Sequence, residues 1–190
     1  VATLDRLSDG RFLFGVGAGW NAEEMENHGV EYGERWKVLE EHVKAMKVLW
    51  SEEEASFRGE YVNFDKVWSF PKPTSKPHPP IVLGTFGSKW GRQRVAELAD
   101  GWIPIGLYHE DIKADIMDLN QRLTKLGREP NSVEVSIFDV YETSEDDLKK
   151  YADLGLCVRA IPRCPTEDKD TVLRWLDKYV KIGRRIGAMQ

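Results

Sequence analysis

The strongest constraint on this chain is the regular alternation of short apolar runs with amphipathic helices that sets in at Ile81. Ile81-Val82-Leu83-Gly84 reads as a buried strand, followed by a glycine-containing turn and a helix ending near Ala99. Gly101-Trp102-Ile103-Pro104-Ile105 is a second strand. Ile112, Ile116, Leu119, Leu123 and Leu126 then recur at alternating four- and three-residue steps, one face of a helix that Gly127 closes. Val133 to Val140 is a further strand. Ser144-Glu145-Asp146-Asp147 opens a helix with a capping-box pattern that ends at Gly155. Leu156 to Ile161 is the last strand, and Val172, Leu173, Leu176, Tyr179 and Val180 mark a closing helix. Such alternation means parallel strands covered by helices, in a doubly wound sheet or a barrel.

The same grammar extends upstream. Phe12 to Val16 forms a compact apolar run between glycines, expected as a buried strand and counted as the first of five. Asn21 is placed to cap a helix whose first turn carries Glu23 and Glu24. Leu39, Val43, Met46 and Leu49 with Trp50 define one apolar face of the next helix, and His42 on that stripe reads as a packing residue. Residues 56–80 break the pattern. Phe57, Tyr61 and Phe64 around Gly59 and Asn63 suggest a short irregular hairpin, and the proline-rich stretch from Phe70 to Pro80 is an extended loop. Val1 to Ser8 reads as the last turns of a helix, ended by Asp9-Gly10. A complete eightfold barrel needs about 250 residues. The 190 residues here are therefore expected to form a single partial domain that begins mid-barrel, with its N-terminal strands missing. Two open edges leave self-association into a homo-oligomer as an expectation.

Composition excludes several partners. A net charge of −5 gives no electrostatic reason to bind nucleic acid or an anionic membrane. No apolar run approaches the roughly 18 residues a bilayer span needs, and no signal peptide opens the chain. Cys157 and Cys164 form no CxxC pair or Cys/His cluster, so no metal site is expected, and a reduced cytoplasmic setting is the simplest account.

Ligands of parallel α/β folds collect at the carboxyl ends of the strands. Two loops there carry chemistry. Gly84-Thr85-Phe86-Gly87-Ser88 follows a strand and opens a helix, so its amides could converge on a phosphate, with hydroxyl donors from Thr85 and Ser88. It reads equally well as a tight turn with Ser88 as a helix cap. Gly15 to Glu23 offers Gly17 and Gly19 as room for a flat ring, Trp20 as aromatic surface, and Glu23 as a carboxylate. The simpler account is a glycine bend with Trp20 packed in the core. His109 lies in the correct type of loop, but a lone loop histidine is usually structural or exposed.

The segments Thr3 to Phe12, Gly15 to Asn21, Leu49 to Glu52, Tyr61 to Phe64, Pro71 to Pro73, Pro77 to Ile81 and Ala99 to Pro104, taken in order, resemble the luciferase-like monooxygenase family. They are most similar to its deazaflavin-dependent branch. The resemblance implies a TIM (β/α)8 barrel of which this chain supplies strands four to eight. It implies a phosphate site at Gly84, Thr85, Phe86, Gly87 and Ser88 and a ring pocket beside Gly17, Gly19 and Trp20. It further implies an oxidoreductase moving hydride between coenzyme F420 and a small organic substrate, with Glu23 as a polar contact or proton-transfer group. FMN-dependent monooxygenation is the nearest alternative, and a non-catalytic fragment or binding module is the other. Where the family often has two adjacent glycines at the phosphate turn, this chain has Thr85 in the second place.

Overall fold

The computed structural model describes residues 1–105, 112–138, 144–153, 158–161, 163–165 and 168–187. Among these residues, seven strands and seven α-helices follow in chain order: α1 (Ala2–Leu7), β1 (Phe14–Gly17), α2 (Ala22–Asn27), α3 (Arg35–Ser51), β2 (Ala55–Arg58), β3 (Asn63–Val67), β4 (Ile81–Phe86), α4 (Lys89–Leu98), β5 (Gly101–Ile105), α5 (Ile112–Lys125), β6 (Glu134–Phe138), α6 (Glu145–Asp153), β7 (Val158–Ile161) and α7 (Lys169–Arg185). Five of the strands pair in parallel in the order β1-β4-β5-β6-β7, while β2 and β3 form a separate antiparallel hairpin. The parallel sheet is not closed, as expected of part of a barrel. His109 and Cys157 lie outside the described residues, as do Gly155 and one end of each of the last two expected strands.

Helices on one face make the core. Leu83, Trp102, Val135 and Ile137 from the sheet pack against Val95, Ala96 and Ala99 around α4 and Ile112, Ile116, Leu119 and Leu123 of α5. The α5 stripe is buried through Leu123 and then stops, because the helix ends at Lys125 and leaves Leu126 exposed. Gly127, at φ +73°, adopts the left-handed conformation there, and the Arg128 amide donates back to the Leu123 carbonyl at 2.9 Å. A second cluster joins Val43 and Trp50 of α3 to Ile81, with Phe14 edge-on to Trp50 at 5.7 Å.

Two sequence expectations are corrected. The β1 strand is not buried: it is an edge strand with Phe14 and Val16 half-covered by α3 and with Gly15 and Gly17 exposed. His42 is exposed rather than packed, because it lies on the flank of α3, where its Nδ1 meets the Val38 carbonyl at 2.7 Å. The closing helix is α7, as expected, with Leu173 and Leu176 exposed on it.

Polar anchors fix the irregular parts. Buried Asp5 accepts the Ser75 amide at 2.8 Å and its hydroxyl at 2.7 Å, tying α1 to the proline-rich loop. The hairpin tip is held by Glu41 of α3, which accepts the amides of Glu60, Tyr61 and Val62. A side chain at Gly59 would overlap that carboxylate, with its Cβ 2.2 Å from Glu41 Oε1. The Tyr61 phenol donates to Glu34 at 2.5 Å, which pushes its pKa up to about 12. Among the described residues, no helix is long and apolar enough to cross a membrane.

Leu119→Ala empties a fully buried position between α5 and the sheet and is expected to cost about 2–5 kcal/mol in chemical denaturation. At the hairpin the expected outcome depends on pH. Burial raises the Glu41 pKa, but its three amide donors outweigh this and hold the carboxyl below its ordinary value. A depressed folded pKa stabilises above the unfolded value and is lost as pH falls through the folded one. Hydrogen-exchange protection of the Glu60, Tyr61 and Val62 amides should therefore fall selectively as pH drops below the carboxylate range, and Glu41→Gln should lower it at neutral pH.

Candidate active-site rim

Parallel pairing decides where the two informative loops emerge. Gly17 and Gly84 are register partners on adjacent strands, so the β1–α2 and β4–α4 connections leave the sheet side by side at its carboxyl end. The pleat then sorts side chains by face. Ile81 and Leu83 point into the helix layer. Gly15, Gly17, Val82, Gly84 and Phe86 take the opposite face, where Val82 is itself buried, Ile103 pairs with Gly84 and Ile105 with Phe86.

At the carboxyl end of that face, the neighbouring Gly17 and Gly84 leave bare backbone. A Cβ at Gly84 would lie 3.5 Å from Ile105 Cδ1 and 3.6 Å from the Val16 carbonyl oxygen, and one at Gly17 would lie 3.6 Å from the Gly84 oxygen. These are ordinary contacts, so the glycines are not forced by crowding; a methyl there would instead occupy space over the backbone. Beyond this floor stand Phe86, 62% exposed, and its partner Ile105. Together they form an apolar edge beside the glycines.

The β1–α2 loop turns at Gly19, whose φ of +77° disfavours any side chain. Asn21 accepts the Glu24 amide at 3.2 Å and caps α2 as its position suggested. Trp20 is 82% exposed, so it is not a core residue, and its indole is available at the rim. Glu23 is exposed in the first turn of α2. A cleft of about 480 Å³ opens beside this loop, lined by Gly17, Ala18, Gly19, Met25, Arg35 and His42 among others.

At the other loop β4 runs to Phe86, so the bend itself is Gly87-Ser88. The Ser88 Oγ accepts the Gly91 amide at 3.1 Å, the cap foreseen as one of its two readings. Capping does not preclude an anion at the same bend: it uses the third amide of α4 and leaves those of Lys89 and Trp90 directed out of the helix start. Thr85 is a correction. Its side chain is buried in contact range of Gly91, so the hydroxyl read as an anion donor lies against the helix layer instead.

Two residues that the sequence patterns did not single out shape this end. A Cβ at Gly91 would stand 2.2 Å from the Phe86 carbonyl oxygen, so only glycine lets α4 sit so close to the strand end. Its placement in the first helical turn, where glycine is a poor helix former, was the available signal. Arg92, with its side chain only 15% exposed, donates to the Gly87 carbonyl, to Asp115 Oδ1 at 2.5 Å and to Asp118 Oδ2 at 2.5 Å. Arg122 donates to the same Asp118 at 2.8 Å and, with Arg92, outweighs burial to hold that carboxyl below its usual range. Among the described residues no group of His, Cys, Asp and Glu is arranged to hold a metal ion.

Known proteins share this fold. The sequence profile of luciferase-like monooxygenases matches residues 1–159. An uncharacterized protein of Mycobacterium tuberculosis is 39% identical over 158 residues, covering 82% of this chain and 54% of its own length. An FMNH2-dependent dimethylsulfone monooxygenase of Pseudomonas putida is 28% identical over 152 residues, covering 78% of this chain and 41% of that protein. The chain thus spans about half the length of the curated relatives it matches. Among solved structures, a monooxygenase from Streptomyces bottropensis superposes with a TM-score of 0.65 at 20% identity, covering 96% of this chain and 54% of that one. An F420-dependent secondary alcohol dehydrogenase does so at 0.64 and 18%, covering 95% and 64%. At that identity the two structures speak for the fold alone. The profile match over most of the sequence speaks for descent: this chain belongs to the luciferase-like monooxygenase family.

Proposed function

We propose that the chain is the cofactor-binding portion of an oxidoreductase that moves hydride between coenzyme F420 and a small organic substrate. The observation that carries this reading is the register of Gly17 with Gly84. It sets a patch of bare glycine backbone, bordered by Ile103 and Ile105, next to a helix start whose first amides are directed outward, the pairing of surfaces that a planar ring with a phosphate tail needs. In this reading the amides of Lys89 and Trp90 receive the phosphate, with the Ser88 hydroxyl beside them. Gly17, Gly19 and Trp20 border the ring, Phe86 and Ile105 close its apolar edge, and Glu23 is the candidate carboxylate. Such a cofactor supplies the two-electron chemistry when bound, and the protein contributes orientation and a water-poor surface.

F420 is favoured over FMN by the Gly-Ala-Gly-Trp-Asn run from Gly17 to Asn21 and by Asp100-Gly101-Trp102, which look most like the deazaflavin branch. The dimethylsulfone monooxygenase relative supports the second reading, reduced FMN with oxygen as co-substrate. Anaerobic titration of the full-length protein with each cofactor separates the two. Binding of F420 in preference to FMN is expected; tight binding of FMN alone overturns the choice. Gly84→Ala puts a methyl on the floor where its protein contacts are ordinary, so the thermal midpoint should hold while affinity for the bound cofactor falls roughly tenfold. Unchanged affinity would remove the ring from this face.

A further inference from the structure

We propose that Arg92 is a positioning residue that makes the Gly87-Ser88 bend receptive to a phosphate, by holding one carbonyl away from it and by neutralising the carboxylate behind it. The inference rests on the phosphate reading given above and goes beyond it, since Arg92 acts from behind the bend, through Gly87 and Asp115. Asp115, in the first turn of α5, lies directly behind Gly87: a Cβ built on that glycine would be 2.9 Å from Asp115 Oδ2. A bare carboxylate there opposes an anion at the bend. The Arg92 guanidinium bonds the other oxygen of that carboxylate, Oδ1, and the Gly87 carbonyl through the same Nη1, so its positive charge adjoins both. With the carbonyl so engaged, its negative end points at the guanidinium and not toward an incoming phosphate.

The rest of the cluster keeps Arg92 in place. Its Nε bonds Asp118, which Arg122 also binds, and Arg122 reaches back to Gln93 Oε1 at 2.7 Å. Two guanidiniums thus offset two carboxylates in a partly buried layer between α4 and α5. A cluster serving only to pin two helices together could sit anywhere along their length. This one is placed at the bend and directs a donor to its carbonyl.

The test uses the full-length protein and two pairs of ligands that differ in the phosphate: FMN against riboflavin, and F420 against its phosphate-free deazaflavin chromophore. Arg92→Gln should weaken the phosphorylated member about tenfold or more, the scale of a lost charge-assisted hydrogen bond, and leave the phosphate-free member nearly unchanged. The loss should shrink at high salt. Asp115→Asn in the Arg92→Gln background should restore part of the affinity, and alone should leave it equal or tighter. Arg92→Lys keeps the charge but not the fork, so it should show a smaller, still phosphate-specific loss, and it carries the test if Arg92→Gln fails to fold. Equal weakening of both members of a pair, or no recovery on removing Asp115, overturns the proposal. A wild-type protein that binds the phosphorylated and phosphate-free members equally would instead reject the phosphate site itself.

Discussion

The parallel pairing of β1 with β4 is the constraint on which the site depends. Between Gly17 and its register partner Gly84 the chain runs through α2, α3, a hairpin and a proline-rich loop before it returns to the sheet. What brings it back in register is burial. Phe14 and Ile81 share the Trp50 and Val43 cluster beneath α3, and sliding β1 by one residue would put its glycines into that cluster and its aromatic ring on the open face. The bare glycine backbone at the rim is therefore a by-product of packing on the far side of the sheet.

Much of the fold was legible because it is written in short-range patterns. The α5 stripe, the Ser88 and Asn21 caps, the hairpin around Gly59 and the left-handed Gly127 each depend on a few consecutive residues, although the Ser88 turn had a second reading beside its cap. What escaped depends on partners distant in sequence. Whether Phe12 to Val16 makes a central or an edge strand turns on what lies beside it, which an apolar run does not encode. His42 sits one step from the buried Val43, and a helical stripe does not say where its flank meets open space.

The rim was legible in outline and misread in detail for the same reason. Glycines after strands marked both loops, and the adjacency of Gly17 and Gly84 follows once the strands are known to be neighbours. Thr85 illustrates the limit: a hydroxyl next to a glycine turn looks like a ligand donor, yet the pleat sends alternate side chains to the helix layer, and Thr85 falls on that side with Leu83. Arg92 gave no signal at all, because its partners Asp115 and Asp118 stand on another helix.

Gly91 has a mechanical meaning for the rim. With no side chain between them, the first turn of α4 sits so near the Phe86 carbonyl that even a methyl at this position would have to push the helix off the strand end. Such a push would strain the grip of Arg92 on Asp115 and Asp118 of α5. A single added carbon at the strand end would thus be felt on the neighbouring helix as well.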